Sequence, residues 1–269
     1  MQKQQISLIP VVFITNESLM KIDSAGCINL AKNIVATIGE MILNNRLQKT
    51  NELQLDCDWT VSSSKNYFIL LREVKRLINT SKKTFHEKSL LSATIRLHQV
   101  KFRNKTGIPP ADKGLLMCYN MGNLKNKATK NSILDADELK KYTAGLNSYP
   151  LQLDIALPLF SWHVLFRNSN FKGIIGNTSN TSFNSDIGTW QQNRFVFSKD
   201  TVIKNIQFYS NDELRYEECT QTELLNAATY IASMKNAAAN HTVLFYHLDE
   251  SLLKKYSHNE LEKLFRCFH

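Results

Sequence analysis

The chain lacks a long apolar run and has few glycines and prolines. It contains nine glycines and five prolines among 269 residues. A membrane-spanning helix needs roughly 18 or more consecutive apolar residues, so the sequence predicts no membrane span. An apolar segment at 6–14 begins almost at once and is followed by Thr15 and Asn16 instead of a cleavage site. This arrangement predicts no signal peptide.

The cysteines are few, odd in number and widely spaced. Neither a zinc knuckle nor a disulfide framework fits that spacing, and we expect the cysteines to be small buried residues. The segment His-Gln-Val-Lys at 98–101 also lacks metal-ligand spacing. We therefore predict no metal and no cofactor. The five cysteines are Cys27, Cys57, Cys118, Cys219 and Cys267.

Basic residues outnumber acidic ones by 33 to 24, which gives a formal charge of +9. They are scattered among acidic residues, with local clusters only at 101–105 and 125–130. A solvated basic surface explains this pattern better than a nucleic-acid site does. We predict no specific nucleic-acid partner, and the sequence does not indicate an oligomeric state.

Apolar segments of strand length alternate with segments of helical period. This order is typical of βα units around a parallel sheet, and we interpret 1–269 as a single barrel-like domain. Apolar stripes predict helices over 28–42 and 67–78, and capping-box spacing predicts helix starts near 135, 220 and 257. The predicted strands are 6–14, 53–58, 91–100, 115–121, 151–160 and 242–248.

One region departs from that alternation. Residues 168–194 are rich in Asn, Ser, Thr and Gly, and segments 195–197 and 203–209 after them resemble short antiparallel strands. We interpret 164–216 as an Asn-rich insertion with hairpins.

Asp56 and Asp58 lie two residues apart at the end of a predicted strand, so they share one face of it. Carboxylates are costly to bury unless they are paired, hydrogen-bonded or placed at a solvated strand end. This strand end is therefore the first place to look for function.

Four strand ends, in order, resemble the chitinase family of glycoside hydrolases, a TIM-barrel family with D-x-D-W-E and M-x-Y-D-x-x-G strands. The matching strings are DCDWT at 56–60, MCYNMG at 117–122, LDIALPLFSW at 153–162 and VLFYHLDE at 243–250. The chain is also similar, more closely, to bacterial conserved proteins of no established activity that contain CDWT, TIRLHQ and YNMG strings. The resemblance implies an α/β TIM-type barrel.

The sequence departs from the family at two positions. The family's acid glutamate is replaced by Thr60, whose hydroxyl cannot act as a general acid, and its second aspartate by Asn120, which cannot carry charge. In the family the D-x-D-W strand is the fourth, whereas only one predicted strand precedes it here. We expect a barrel of about six strands, which is either incomplete at the N-terminus of a longer chain or open and completed by something else. In the first case any export signal to the cell envelope or exterior would lie in the missing segment.

Catalytic groups of TIM barrels lie at the carboxyl ends of the strands. If hydrolysis occurs, Asp58 is the best acid/base, with Asp56 raising its pKa by like-charge proximity. The alternative is that both are structural carboxylates. Arg96 and His98 share a face of strand 91–100 and predict an ion-paired network in which Arg96 holds Asp56 or Asp58 ionised.

Arg96, His98 and the remaining candidates are predicted to bind substrate, with a satisfied core histidine as the alternative for His98. Gln99 could bond a sugar hydroxyl, Tyr119 and Asn120 could contact a sugar ring, and Trp59 and Trp162 could provide apolar platforms. The alternatives are packing in an aromatic core for the two tryptophans and, for Asp154, a buried structural role.

Three functions remain open. The first is a glycoside-hydrolase-like barrel that acts on or binds a glycan. The second is a lectin-like relative that kept the sugar groove without the acid, which the change to Thr60 favours. The third is a basic scaffold or interaction protein.

Overall fold

The structure is a computed structural model that describes residues 6–176, 178–234 and 242–268. Within these residues the chain forms two compact units. Unit 1 contains residues 6–117, 142–155 and 242, and unit 2 contains 118–141, 156–176, 178–234 and 243–268. The single domain over 1–269 stays a prediction.

Six parallel strands form the main sheet, in the order β1-β2-β3-β4-β5-β13. This confirms the predicted TIM-type sheet of about six strands, where a complete barrel has eight. Leu55 pairs with Ala93, and Ile95 pairs with Leu116, and all four side chains are buried. The strands, numbered along the chain, are β1 (Val11–Phe13), β2 (Thr50–Asp56), β3 (Phe85–Arg96), β4 (Lys113–Met117), β5 (Leu153–Pro158) and β13 (Val243–Tyr246).

The third strand ends earlier than the sequence predicted. The prediction of a strand to 100 is wrong, because a short helix begins at Leu97. Gln99 causes the change of direction: its Oε1 accepts the backbone N–H of Arg96 at 2.7 Å, which caps the new helix. His98 and Gln99 therefore do not continue the strand face of Arg96.

Two helices before β4, α2 (Ser24–Asn44) and α3 (Ser64–Thr80), bury apolar residues along one face, as predicted for 28–42 and 67–78. One of them, α2, is long and apolar enough to cross a membrane by length and composition alone. In the structure α2 packs against α3 and buries seven residues, among them Ala31, Ile34 and Ile38. The helices are α1 (Asn16–Met20), α2 (Ser24–Asn44), α3 (Ser64–Thr80), α4 (Leu97–Lys101) and α5 (Arg103–Thr106).

Unit 2 contains a second, antiparallel sheet in the order β7-β6-β12-β9-β8, with a separate hairpin, β10–β11. Antiparallel strands were predicted at 195–197 and 203–209. The second of these is interrupted by a tight turn, since Lys204 and Asn205 both have positive φ, 48° and 64°. The strands are β6 (Trp162–Arg167), β7 (Asn170–Ile175), β8 (Gly188–Gln191), β9 (Arg194–Phe197), β10 (Thr201–Ile203), β11 (Ile206–Phe208) and β12 (Glu213–Glu217).

The predicted helix starts are confirmed by their caps. Thr220 with Glu223 and Ser257 with Glu260 form capping boxes, and Asp135 accepts the backbone N–H of the residue three positions later at 2.9 Å. The cysteines are all free, and all except Cys267 are buried. The remaining helices are α6 (Ala136–Thr143), α7 (Gln221–Ser233), α8 (Glu250–Lys255) and α9 (His258–Arg266).

Candidate functional site

The ion pair predicted for Arg96 is present in unit 1. Its Nη2 donates to Oδ2 of Asp58 at 2.8 Å, and its Nε donates to Oδ1. This two-point contact satisfies both oxygens of a carboxylate that is still 43% exposed. Thr60 is part of the turn before α3, where its N–H donates to Ser63 Oγ at 3.0 Å. That it takes the position of the family's acid stays a prediction.

Asp56 is the last residue of β2 and lies deeper than Asp58. Its Oδ1 accepts a hydrogen bond from Thr94 Oγ1 at 2.7 Å. Burial raises the pKa of Asp56, the Thr94 hydroxyl lowers it, and the charge of Asp58 raises it further. A raised pKa allows Asp56 to hold a proton nearer to neutral pH than an ordinary aspartate does. His98 is exposed, yet the protein around its ring desolvates it enough to lower its pKa.

Trp59 and Gln99 lie in the interior of unit 1. The Trp59 ring stacks on Tyr67 with ring centroids 5.2 Å apart, and its Nε1 donates to the carbonyl of Thr106 at 3.0 Å. Gln99 donates its Nε2 to the Trp59 carbonyl at 3.0 Å. Packing explains both buried side chains, so their roles as sugar ligands stay predictions.

Asp154 is the second residue of β5, at the end opposite to the one where TIM barrels place their catalytic groups. It is buried, and it accepts from Lys113 Nζ at 2.7 Å and from the backbone N–H of Thr242 at 2.9 Å. Lys113 Nζ also contacts Glu52 at 2.8 Å. This triad, with two buried carboxylates and a half-buried lysine, is the structural alternative considered for Asp154, and its substrate role stays a prediction.

A cleft of about 770 Å³ lies in unit 2, and Trp162 is one of its walls. The Phe160 ring lies 5.1 Å from the Trp162 ring and 6.3 Å from the His247 ring. Aromatic surface of this kind is suited to the apolar face of a sugar ring. Ser161 and Tyr216 add polar groups to the same cleft.

Tyr119 and Asn120 follow β4 but do not line this cleft. Tyr119 is buried beneath Tyr246, with the two rings stacked 5.2 Å apart, and it meets Phe160 edge-on at 5.8 Å. Asn120 is exposed, turns the chain with a φ of 56°, and donates its N–H to the Ile133 carbonyl at 2.8 Å. Their sugar contacts stay predictions, although Tyr119 supports the aromatic wall.

A buried pair, Arg215 and Glu217, fixes the Trp162 ring. The Trp162 Nε1 donates to Glu217 Oε2 at 2.8 Å, and Arg215 Nε donates to Glu217 Oε1 at 2.6 Å. Arg215 also donates to the carbonyls of Leu124 and Asn126 at 3.2 and 2.8 Å, so the loop after β4 is tied to the same pair. Neither residue was among those predicted from the sequence. The alternation of charges at 213, 215 and 217 on one strand face was the available signal.

A second polar contact of the cleft was also missed. Oδ1 of Asn180, which lines the cleft, lies 2.7 Å from Nε2 of the buried His163. In the described part of the chain, no three or more His, Cys, Asp or Glu residues come together as metal ligands.

The sequence matches no protein-family model and no curated protein. Solved structures do match. A glycoside hydrolase family 18 chitinase from Cycas revoluta, in complex with (GlcNAc)3, has a TM-score of 0.55 at 14% identity over 96% of this chain and 80% of that chain. The chain has the fold of the chitinase-like barrels. An N-acetylglucosaminidase of the same family from Paenibacillus barengoltzii gives 0.51 at 10% identity, over 97% of this chain and 82% of that chain.

The spore cortex-lytic enzyme of Bacillus cereus is also similar, with a TM-score of 0.55 at 12% identity, over 97% of this chain and 60% of that chain. These similarities support the chitinase-like resemblance at the level of fold. The closer resemblance through the CDWT, TIRLHQ and YNMG strings stays a prediction.

Proposed function

We propose that this protein is a chitinase-like barrel that binds a glycan in the Trp162 cleft of unit 2. The observation that supports this most strongly is the fixed indole: Trp162 is part of the cleft wall, and Glu217 holds its N–H at 2.8 Å. A ring that is already oriented costs little entropy when a sugar stacks on it. The cleft volume of about 770 Å³ is within the range of small-ligand sites.

Binding without hydrolysis is the form of this function that the side chains favour. Thr60 replaces the family's acid, and both oxygens of Asp58 already accept hydrogen bonds from Arg96. The (GlcNAc)3 bound to the Cycas revoluta chitinase is the natural first test ligand.

Replacing Trp162 with alanine is expected to weaken (GlcNAc)3 binding at least tenfold, because the stacking surface is lost. Trp162→Phe keeps a ring but loses the bond to Glu217, so we expect an intermediate affinity. Isothermal titration calorimetry on the three proteins measures this, with thermal melting to show that each is folded. Equal affinities for the wild type and Trp162→Ala would contradict the proposed platform.

Hydrolysis by the aspartate pair is the second candidate, favoured by the raised pKa of Asp56 and the exposure of Asp58. We expect no reducing sugar to be released from chitin oligosaccharides by the wild type. Release that is abolished by Asp58→Asn or Asp56→Asn would establish the hydrolase instead. Asp137→Asn, at a position 87% exposed on α6, is the matched control.

A further inference from the structure

His163 and Asn180 form a pair at the edge of the Trp162 cleft. His163 is buried in β6, where its ring lies 4.8 Å from the ring of Phe183 and 5.0 Å from that of Tyr216. Its Nε2 lies 2.7 Å from Oδ1 of Asn180, whose residue is exposed and lines the cleft. One partner is therefore held by packing and the other faces the ligand space.

The contact determines where the proton of the ring lies. An amide oxygen only accepts hydrogen bonds, so Nε2 of His163 must be the donor. Its other nitrogen, Nδ1, is buried and makes no hydrogen bond within the described chain. Turning the amide round would move the ring proton to Nδ1 and leave a buried N–H without an acceptor, which is rare in folded proteins. Burial also lowers the pKa of His163, which favours the neutral ring with a single proton.

The orientation of the amide leaves one group of Asn180 for a ligand. With Oδ1 taken by His163, the remaining group is Nδ2, which forms no hydrogen bond to the residues that the structure describes. We propose that Asn180 is a specificity-determining hydrogen-bond donor, an inference that rests on the proposed glycan binding. Its Nδ2 donates to an acceptor oxygen of the bound sugar, and His163 is the positioning residue that fixes the amide in that orientation.

A donor at Nδ2 of Asn180 selects for sugars that place an acceptor oxygen next to it. An N–H group donates a hydrogen bond to a carbonyl, carboxylate or hydroxyl oxygen of the ligand, whereas a carboxylate in the same place accepts a hydrogen bond only from a hydroxyl or amide N–H. Asn180→Asp keeps an oxygen for His163 and exchanges the donor for an acceptor with nearly the same shape. We therefore expect (GlcNAc)3 to bind Asn180→Asp roughly tenfold more weakly than the wild type, with no change in melting temperature.

His163 is tested by two substitutions that separate its N–H from its packing. His163→Phe keeps an aromatic ring among Phe183 and Tyr216 and removes the donor, so we expect (GlcNAc)3 affinity to fall about three- to tenfold. His163→Gln retains an N–H donor and should bind more tightly than the phenylalanine variant. Asn184→Asp is the control for Asn180→Asp: it adds the same negative charge at a residue that does not line the cleft, and it should bind (GlcNAc)3 like the wild type. If His163 had only a structural role, its two substitutions would change the melting temperature, and His163→Gln would not bind (GlcNAc)3 more tightly than His163→Phe.

Calorimetry with (GlcNAc)3 and with cellotriose decides the donor role. If the wild type binds and Asn180→Asp binds both sugars with the same affinity as the wild type, the donor role is overturned. If the wild type binds neither sugar, the proposed function and the donor role are overturned together. Nitrogen-15 NMR of the imidazole tests the positioning step without any sugar. We expect a neutral ring protonated at Nε2, and protonation at Nδ1 would overturn the assigned orientation whatever the binding result.

Discussion

Replacing Arg215 with methionine is expected to lower the free energy of unfolding by about 3–5 kcal/mol. The side chains of Arg215 and Glu217 are both completely buried, and each neutralises the charge of the other across a contact of 2.6 Å. Methionine fills much of the space but leaves the Glu217 carboxylate without its cation. The carbonyls of Leu124 and Asn126 also lose their donor. Urea unfolding at pH 7 measures the change.

The matched control is Arg266→Met on α9. Arg266 pairs with Glu262 four residues earlier, and the two side chains are 75% and 45% exposed. Exposed pairs of this spacing contribute roughly 0.3–0.5 kcal/mol. An equal loss for the two variants would show that burial of the Arg215–Glu217 pair does not govern its contribution. Removing both partners would not restore stability, because Ser132 and Trp162 would lose the acceptor they share.

Replacing Lys113 with methionine is expected to have an effect of similar size, about 3–5 kcal/mol of unfolding free energy. Lys113 is the cation between two buried carboxylates, Glu52 at 2.8 Å and Asp154 at 2.7 Å. Without it the two like charges face each other in the interior of unit 1. Urea unfolding is again the measurement, and Lys82→Met, at an exposed pair with Glu87, is the control. A loss no larger than that of Lys82→Met would show that Lys113 does not stabilise the two buried carboxylates.

The contribution of Lys113 to stability is expected to depend on pH in the alkaline range. Burial alone would lower the pKa of Lys113, but the hydrogen bonds to Asp154 and Glu52 outweigh it and the pKa is raised. A raised folded-state pKa stabilises the fold fully below the unfolded pKa of lysine, about 10.4. That contribution is lost as the pH rises through the folded value. The stability difference between the wild type and Lys113→Met should therefore shrink above about pH 10.5, and a difference independent of pH would contradict this.

The parallel sheet could be predicted because its signals are local. Strand-length apolar segments and capping pairs such as Thr220 with Glu223 specify their elements from a few neighbouring residues. The end of β3 could not be predicted, since the apolar pattern continues past Arg96 while the cap from Gln99 changes the backbone direction. Five of the strands of the antiparallel sheet and its hairpin went unpredicted, because short strands with half-buried faces leave a weak periodic signal.

The site was harder to predict than the fold because identical residue types serve different purposes. Trp59 and Trp162 both end or follow predicted strands, yet the first packs on Tyr67 and the second is part of the cleft wall. Sequence spacing cannot separate these outcomes, since they depend on which side chains arrive from distant segments. Arg215 and Asn180 were missed for the same reason: their partners are 2 to 91 residues away in the chain.

Oε2 of Glu217 accepts hydrogen bonds from the indole N–H of Trp162 and from the backbone N–H of Ser132, the latter at 2.9 Å. A sugar resting on the indole would steady that shared oxygen, and the amide bound to it would open less often. Occupancy of the cleft would then be readable as slower hydrogen–deuterium exchange at Ser132. The loop amide would report on the ligand without touching it and without any label on the sugar.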